Sequence, residues 1–136
     1  YFDQDIIVEV DVWQNPSTFQ AAYGIICGYS DVNNFYALTV GSGGYVEIFR
    51  YQQAKRLTLY SAENQPSIDS EHNHLEALCA SSALQLRVNG SVVAEVEAQE
   101  FLYGDVGLIA SSFDETPLEI LFDNFIVREA ESLAKP

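Results

Sequence analysis

Between Leu84 and Val96 two runs alternate apolar and polar residues, Leu84-Gln85-Leu86-Arg87-Val88 and Ser91-Val92-Val93-Ala94-Glu95-Val96, on either side of Asn89-Gly90. Asn-Gly accepts positive φ at both central positions of a type I′ turn, so this segment is committed to an antiparallel hairpin. The same period of two recurs through the chain. Ile6, Val8, Val10 and Val12 share one side of a run whose other side carries Ile7, Glu9, Asp11 and Trp13. From Tyr23 to Arg50 three β-like runs form a meander, joined by Ser30-Asp31-Val32-Asn33-Asn34 and by Gly41-Ser42-Gly43-Gly44. Further runs cover 56–60, 74–80, 105–110 and 118–127, while 61–73 is polar and aperiodic, as a surface loop is. About nine closely spaced strands without an amphipathic helix predict an all-β fold, an antiparallel β-sandwich of the jelly-roll kind.

A chain of 136 residues with 48% apolar composition can bury one core of its own and is short for two. Residues 1–128 are expected to form that domain and 129–136 a polar C-terminal tail. The absence of Met, position 1 included, suggests a processed or excised piece. The opening residues lack the basic and apolar regions of a signal peptide, and no apolar run approaches the roughly 20 residues of a membrane span. With 20 acidic and 6 basic residues the formal charge is −14, which opposes contact with phosphate backbones and anionic membranes. Nucleic acid and membrane insertion are therefore not expected.

Cys27 and Cys79 are the only cysteines and lack the close spacing of a zinc or redox motif. They are either a disulfide closing a loop of roughly fifty residues or two buried free thiols.

Several groups of residues, in this order, resemble bacterial domains of the concanavalin A-like lectin/glucanase superfamily. They are Gly24-Ile25-Ile26-Cys27, Asn34-Phe35-Tyr36-Ala37, Gly44-Tyr45, Leu75-x-Ala77-x-Cys79, Val88-Asn89-Gly90, Gly104-Asp105-Val106-Gly107-Leu108 and Phe122-Asp123-Asn124-Phe125. The chain looks most like the laminin-G-like and 3-keto-disaccharide-hydrolase-like jelly rolls appended to exported proteins, over residues 5–128. The resemblance implies two stacked sheets, with ligands on a concave face or its rim, and it implies no activity by itself. Two departures stand out. Such domains usually carry opening strands before the run matching Ile6 to Trp13, and the position after the cysteine, often Arg, holds Gly28. A sandwich lacking its opening strands exposes a sheet edge, so self-association into a homo-oligomer is expected.

Glu9-Val10-Asp11-Val12-Trp13 approximates the Glu-x-Asp-x-Glu strand of family 16 glycosidases, but Trp13 stands where the second Glu would be. One carboxylate and a neighbour about 7 Å away do not flank a glycosidic bond as retaining hydrolysis requires. His72-Asn73-His74-Leu75-Glu76 sets two imidazoles and a carboxylate on one side of an extended run, a superficial likeness to a two-His-one-carboxylate iron site. The plainer reading is a strand whose Leu75, Ala77 and Cys79 point inward. Asp31-Val32-Asn33 fails as a calcium loop, with Tyr36 at the sixth position and Ser42 at the twelfth. Asp123, set in an apolar run, is the candidate for the structural calcium carried by some superfamily members. The alternative for Asp123 is hydrogen bonding to backbone amides.

Eight Tyr, eight Phe and one Trp provide more ring surface than a core this size needs. Sugars stack their C–H faces on such rings while Asn, Asp, Glu and Arg bond the hydroxyls. Trp13, Glu9, Asp11, Tyr36, Tyr45, Arg50 and Arg87 are the candidate saccharide-binding residues. The expected function is a non-catalytic carbohydrate-binding module of a larger, exported extracellular protein. The alternatives are an assembly module that self-associates through a sheet edge, and a glycoside hydrolase-like enzyme.

Overall fold

In a computed structural model, residues 5–15, 21–97, 104–112 and 119–130 are described. They form ten strands: β1 (Ile6–Gln14), β2 (Ala21–Asp31), β3 (Asn34–Gly41), β4 (Tyr45–Gln52), β5 (Lys55–Ala62), β6 (His72–Cys79), β7 (Ala83–Val88), β8 (Ser91–Glu97), β9 (Asp105–Ser112) and β10 (Ile120–Glu129). Sheet I has the order β10-β1-β6-β7-β8 and sheet II the order β5-β4-β3-β2-β9, and all neighbours are antiparallel. The fold is an all-β sandwich. β10 runs one residue past the expected domain boundary, and residues 131–136 of the expected tail lie outside the described residues.

The core is built by the phase of the alternation. Ile6, Val8, Val10 and Val12 of sheet I meet Tyr23, Ile25, Leu38, Val40, Val46 and Ile48 of sheet II, all of them buried. Asn89 and Gly90 take φ of 52° and 89°, the two positive values the hairpin requires. Gly24 marks a close approach: a Cβ there would stand 2.0 Å from the Leu38 carbonyl oxygen.

Two links cross the sandwich between β2 and β6. Cys27 and Cys79 are joined in a disulfide, with Cα atoms 6.5 Å apart. Nearer the other end of the strands, the buried Asn73 side chain donates to the Tyr23 hydroxyl at 2.6 Å.

β1 is an interior strand, paired with β10 on one side and β6 on the other. The open edge expected beside Ile6 to Trp13 is thus closed by the chain's own last described strand. Sheet I ends instead at β10 and β8, and sheet II at β5 and β9.

Candidate functional site

The seven residues proposed from sequence as one binding face are divided among three surfaces. Tyr36 and Arg50 point between the sheets: Tyr36 is buried in phase with Leu38 and Val40, and the Arg50 guanidinium lies 5.1 Å from its ring centroid. The run around Tyr36 is apolar in both phases, so alternation alone does not reveal which side faces in. Glu9, Asp11, Trp13 and Arg87 lie on the outer face of sheet I. Tyr45 lies on the outer face of sheet II.

That second outer face is hollowed. On β4, Tyr45, Glu47, Phe49 and Tyr51 project outward because Val46 and Ile48 project into the core. Together with Thr39 of β3 and Arg56 of β5 they line a cavity of about 480 Å³, within the size range of small-molecule sites, roughly 300–1,000 Å³. Its wall continues as an aromatic ladder over three strands. Ring centroids are 5.8 Å apart for Tyr29 and Phe35, 5.1 Å for Phe35 and Tyr51, and 5.9 Å for Phe49 and Tyr51. Ala22 and Gly24 of β2 keep the neighbouring surface low.

Within this apolar setting one charged pair is fixed. Glu47, only 6% exposed, accepts hydrogen bonds from the Arg56 guanidinium and, at 2.7 Å, from the Thr58 hydroxyl. Arg56 in turn lies over the Phe49 ring, 3.7 Å from its centroid. Thr39 Oγ1 donates to the Glu47 carbonyl at 3.2 Å. Burial, reinforced by the charge of Glu47, raises the Tyr45 phenol pKa, so Tyr45 remains a neutral hydroxyl. Apolar rings beside an anchored carboxylate, guanidinium and hydroxyls present what an amphipathic ligand needs. The β4 alternation already places Tyr45, Glu47 and Phe49 together, whereas their partners on β3 and β5 required the pairing.

The outer face of sheet I is polar. Trp13, 37% exposed, stacks on His72 with centroids 4.4 Å apart, beside an open depression of about 490 Å³ that Gln14 and Leu121 also line. His74 is bonded at both ring nitrogens, Nδ1 to Asp11 Oδ1 at 2.8 Å and Nε2 to Glu9 Oε1 at 3.0 Å. Burial opposes its charged form, but the two carboxylates outweigh burial and the His74 pKa is raised. Burial would lift Glu9, yet Arg128 and His74 hold it below the usual carboxylate range. The Asn124 amide does the same for Asp11, more than burial opposes it, with His74 adding to the effect. Glu9 and Asp11 are therefore engaged in ion pairs along one strand rather than set across a cleft. Arg87 bonds Gln85 at 3.3 Å. Asp123, exposed on β10, accepts the Asn124 backbone N–H at 2.7 Å.

Two antiparallel sheets packed face to face define a jelly-roll β-sandwich, and solved structures share this fold. The carbohydrate-binding module CBM66 from Bacillus subtilis superposes with a TM-score of 0.76 at 16% identity, over 93% of this chain and 76% of that one. Sheep galectin-11 in complex with glycerol gives 0.68 at 8% identity, over 93% and 92%. The GH43 protein BlXynB from Bacillus licheniformis gives 0.70 at 15% identity over 91% of this chain, which spans only 27% of that protein. No protein-family profile matches the chain. No curated protein sequence matches it either.

Proposed function

We propose that this chain is a carbohydrate-binding module that takes a short saccharide into the hollow of sheet II. The observation that carries the reading is the aromatic ladder ending at Phe49 and Tyr51, with the Glu47–Arg56 pair fixed beside it. Sugar C–H faces would stack on the half-exposed Tyr51 ring, while Arg56 and Tyr45 engage hydroxyls. The carbohydrate-binding and galectin relatives of the fold support this choice, and the disulfide supports an exported, extracellular setting.

Titration calorimetry guided by a glycan array tests the proposal. A saccharide is expected to bind; Arg56→Ala should weaken it by about tenfold or more, since hydrogen bonds to charge are worth ~1.5–3 kcal/mol, and Tyr51→Ala should weaken it severalfold through the lost stacking surface. Val92→Ser, exposed on the other sheet, should bind as the unaltered protein does. Absence of saccharide binding at millimolar concentration by a protein with an intact β-sheet spectrum would overturn the reading. Equal binding by both hollow variants would remove the site from sheet II.

A second reading has its own observation. Among the described residues β10 is an edge strand, paired on one side only, and it exposes the apolar Leu121 (71%), Phe125 (44%) and Ile126 (51%), which suits a second copy of the chain. Light scattering should then give a dimer mass that Ile126→Lys reduces to a monomer. A concentration-independent monomer in the unaltered protein excludes this assembly.

A further inference from the structure

Glu9 and Glu76 stand directly opposite each other on β1 and β6, and His74 is two residues from Glu76 on the same face. Like charges in direct cross-strand opposition destabilise a sheet unless a cation lies between them. One ligand atom from each of Glu9, His74 and Glu76 falls within 4.8 Å of the others. Each of the three is only partly buried, so the group is accessible from solvent.

His74 makes this arrangement specific. A neutral imidazole donates from one nitrogen only, so two flanking carboxylates leave a lone pair facing an anion unless a proton or a metal ion stands between them. In the neutral imidazole with its proton on Nδ1, Asp11 accepts from Nδ1 and the Nε2 lone pair is turned toward Glu9 Oε1, where an ion can replace the proton of the charged form. A tetrahedral site with zinc–ligand distances near 2.1 Å sets its ligand atoms about 3.4 Å apart. The Nε2 to Oε1 separation of 3.0 Å needs only a few tenths of an ångström of opening.

The supporting groups are also in place. Asp11 is itself held through Oδ2 by the Asn124 amide at 2.8 Å, in the carboxylate–histidine arrangement that fixes a metal-binding tautomer. Arg128 holds Glu9 through Oε2 at 3.1 Å, leaving Oε1 turned to the site. Arg87 stands across from Glu76 on β7. Asn124 reaches Asp11 because the chain bulges at this point of β10, where Asn124 has a φ of 56°. His72, stacked on Trp13, sets its Nε2 3.5 Å from Asp11 Oδ1 and so supports Asp11 rather than the ion.

We propose that Glu9, His74 and Glu76 form a binding site for a divalent transition-metal ion of the zinc type, with Asp11 and Arg128 orienting the ligands. One imidazole and two carboxylates favour such an ion over hard calcium, and a fourth coordination position faces solvent. A bound ion would tie β1 to β6. The inference is independent of the saccharide hollow, which lies on the other sheet.

The test is calorimetric titration of the untagged protein with zinc chloride, and with cobalt chloride followed by its visible absorption. One ion per chain with micromolar affinity is expected, and a large molar excess of calcium should not displace it. His74→Ala and Glu76→Gln should each lose at least tenfold in affinity, and Asp11→Asn between tenfold and a hundredfold. Circular dichroism verifies the fold of each variant, and Glu76→Gln serves if His74→Ala does not fold. Absence of binding at 100-fold molar excess of zinc, or binding unchanged in a folded His74→Ala or Glu76→Gln, would overturn the proposal.

Discussion

Urea unfolding in the presence of a reducing agent, after reduction in the unfolded state, should show the protein less stable by about 4 kcal/mol than its oxidised form. The magnitude follows from the sequence separation of 52 between Cys27 and Cys79, through the loop-closure entropy that the bond removes from the unfolded chain. Both cysteines are fully buried, so reductant added to the folded protein should act slowly, and reduction must precede refolding. The reduced protein should also show a steeper dependence on urea, since its unfolded state is less compact and exposes more surface. Coincident curves would show that the unfolded chain already holds β2 and β6 together. A loss of this size is a large part of the 5–15 kcal/mol typical of a domain.

The position of this bond shows what pattern alone conveyed. Strands β1 and β7–β8 were legible because one face of each is apolar and the other polar: Val8, Val10 and Val12 oppose Glu9, Asp11 and Trp13, and Asn89-Gly90 sets the hairpin. β3 was legible as a strand but not in orientation. It is buried on both sides from Phe35 to Gly41, with Tyr36 and Leu38 in the core and Phe35 and Ala37 under the outer aromatic cluster. Without a polar phase, Tyr36 and its partner Arg50 were placed on a binding face, though both turn inward. The neighbours of β1 could not be read at all. Pairing Ile6 with Glu129 depends on closing a loop of nearly the whole chain, and no local preference records that.

The candidate sites divide in the same way. Tyr45, Glu47 and Phe49 lie on one strand and share a phase, so half of the hollow was in view as sequence. Arg56 and the ladder partners Tyr29 and Phe35 come from other strands. On sheet I, the acidic run around Glu9 and the His72–Glu76 run were each recognisable, and each taken singly read as a solvated strand. Their meaning changes because β1 and β6 are neighbours in register, which sets Asp11 opposite His74 and Glu9 opposite Glu76. Chemistry carried by pairs of distant strands is invisible until the sheet order is known.

Asn73→Ala is expected to cost about 3 kcal/mol, the second largest effect, because it leaves several polar groups without their partner at once. The side chain is fully buried and satisfied on both sides. Its Nδ2 donates to the Tyr23 hydroxyl at 2.6 Å and to the Asp69 carbonyl at 2.9 Å. Its Oδ1 accepts from the Asp69 N–H at 2.7 Å and from Asn89 Nδ2 at 2.9 Å. One amide thus joins the loop before β6, the β7–β8 turn and the opposite sheet. Burial pushes the Tyr23 phenol up to about 12, more than the Asn73 bond lowers it, so Tyr23 stays a neutral partner at physiological pH. The effect should reach the surface, because Asn73 lies between His72 and His74 and fixes the start of β6 from beneath. Urea unfolding measures the loss of stability, and amide exchange should show faster opening at residues 69–74 and at Asn89 than in the β2–β3 hairpin. A loss below about 1 kcal/mol, the scale of a single ordinary hydrogen bond, would mean that water replaces the amide in this network.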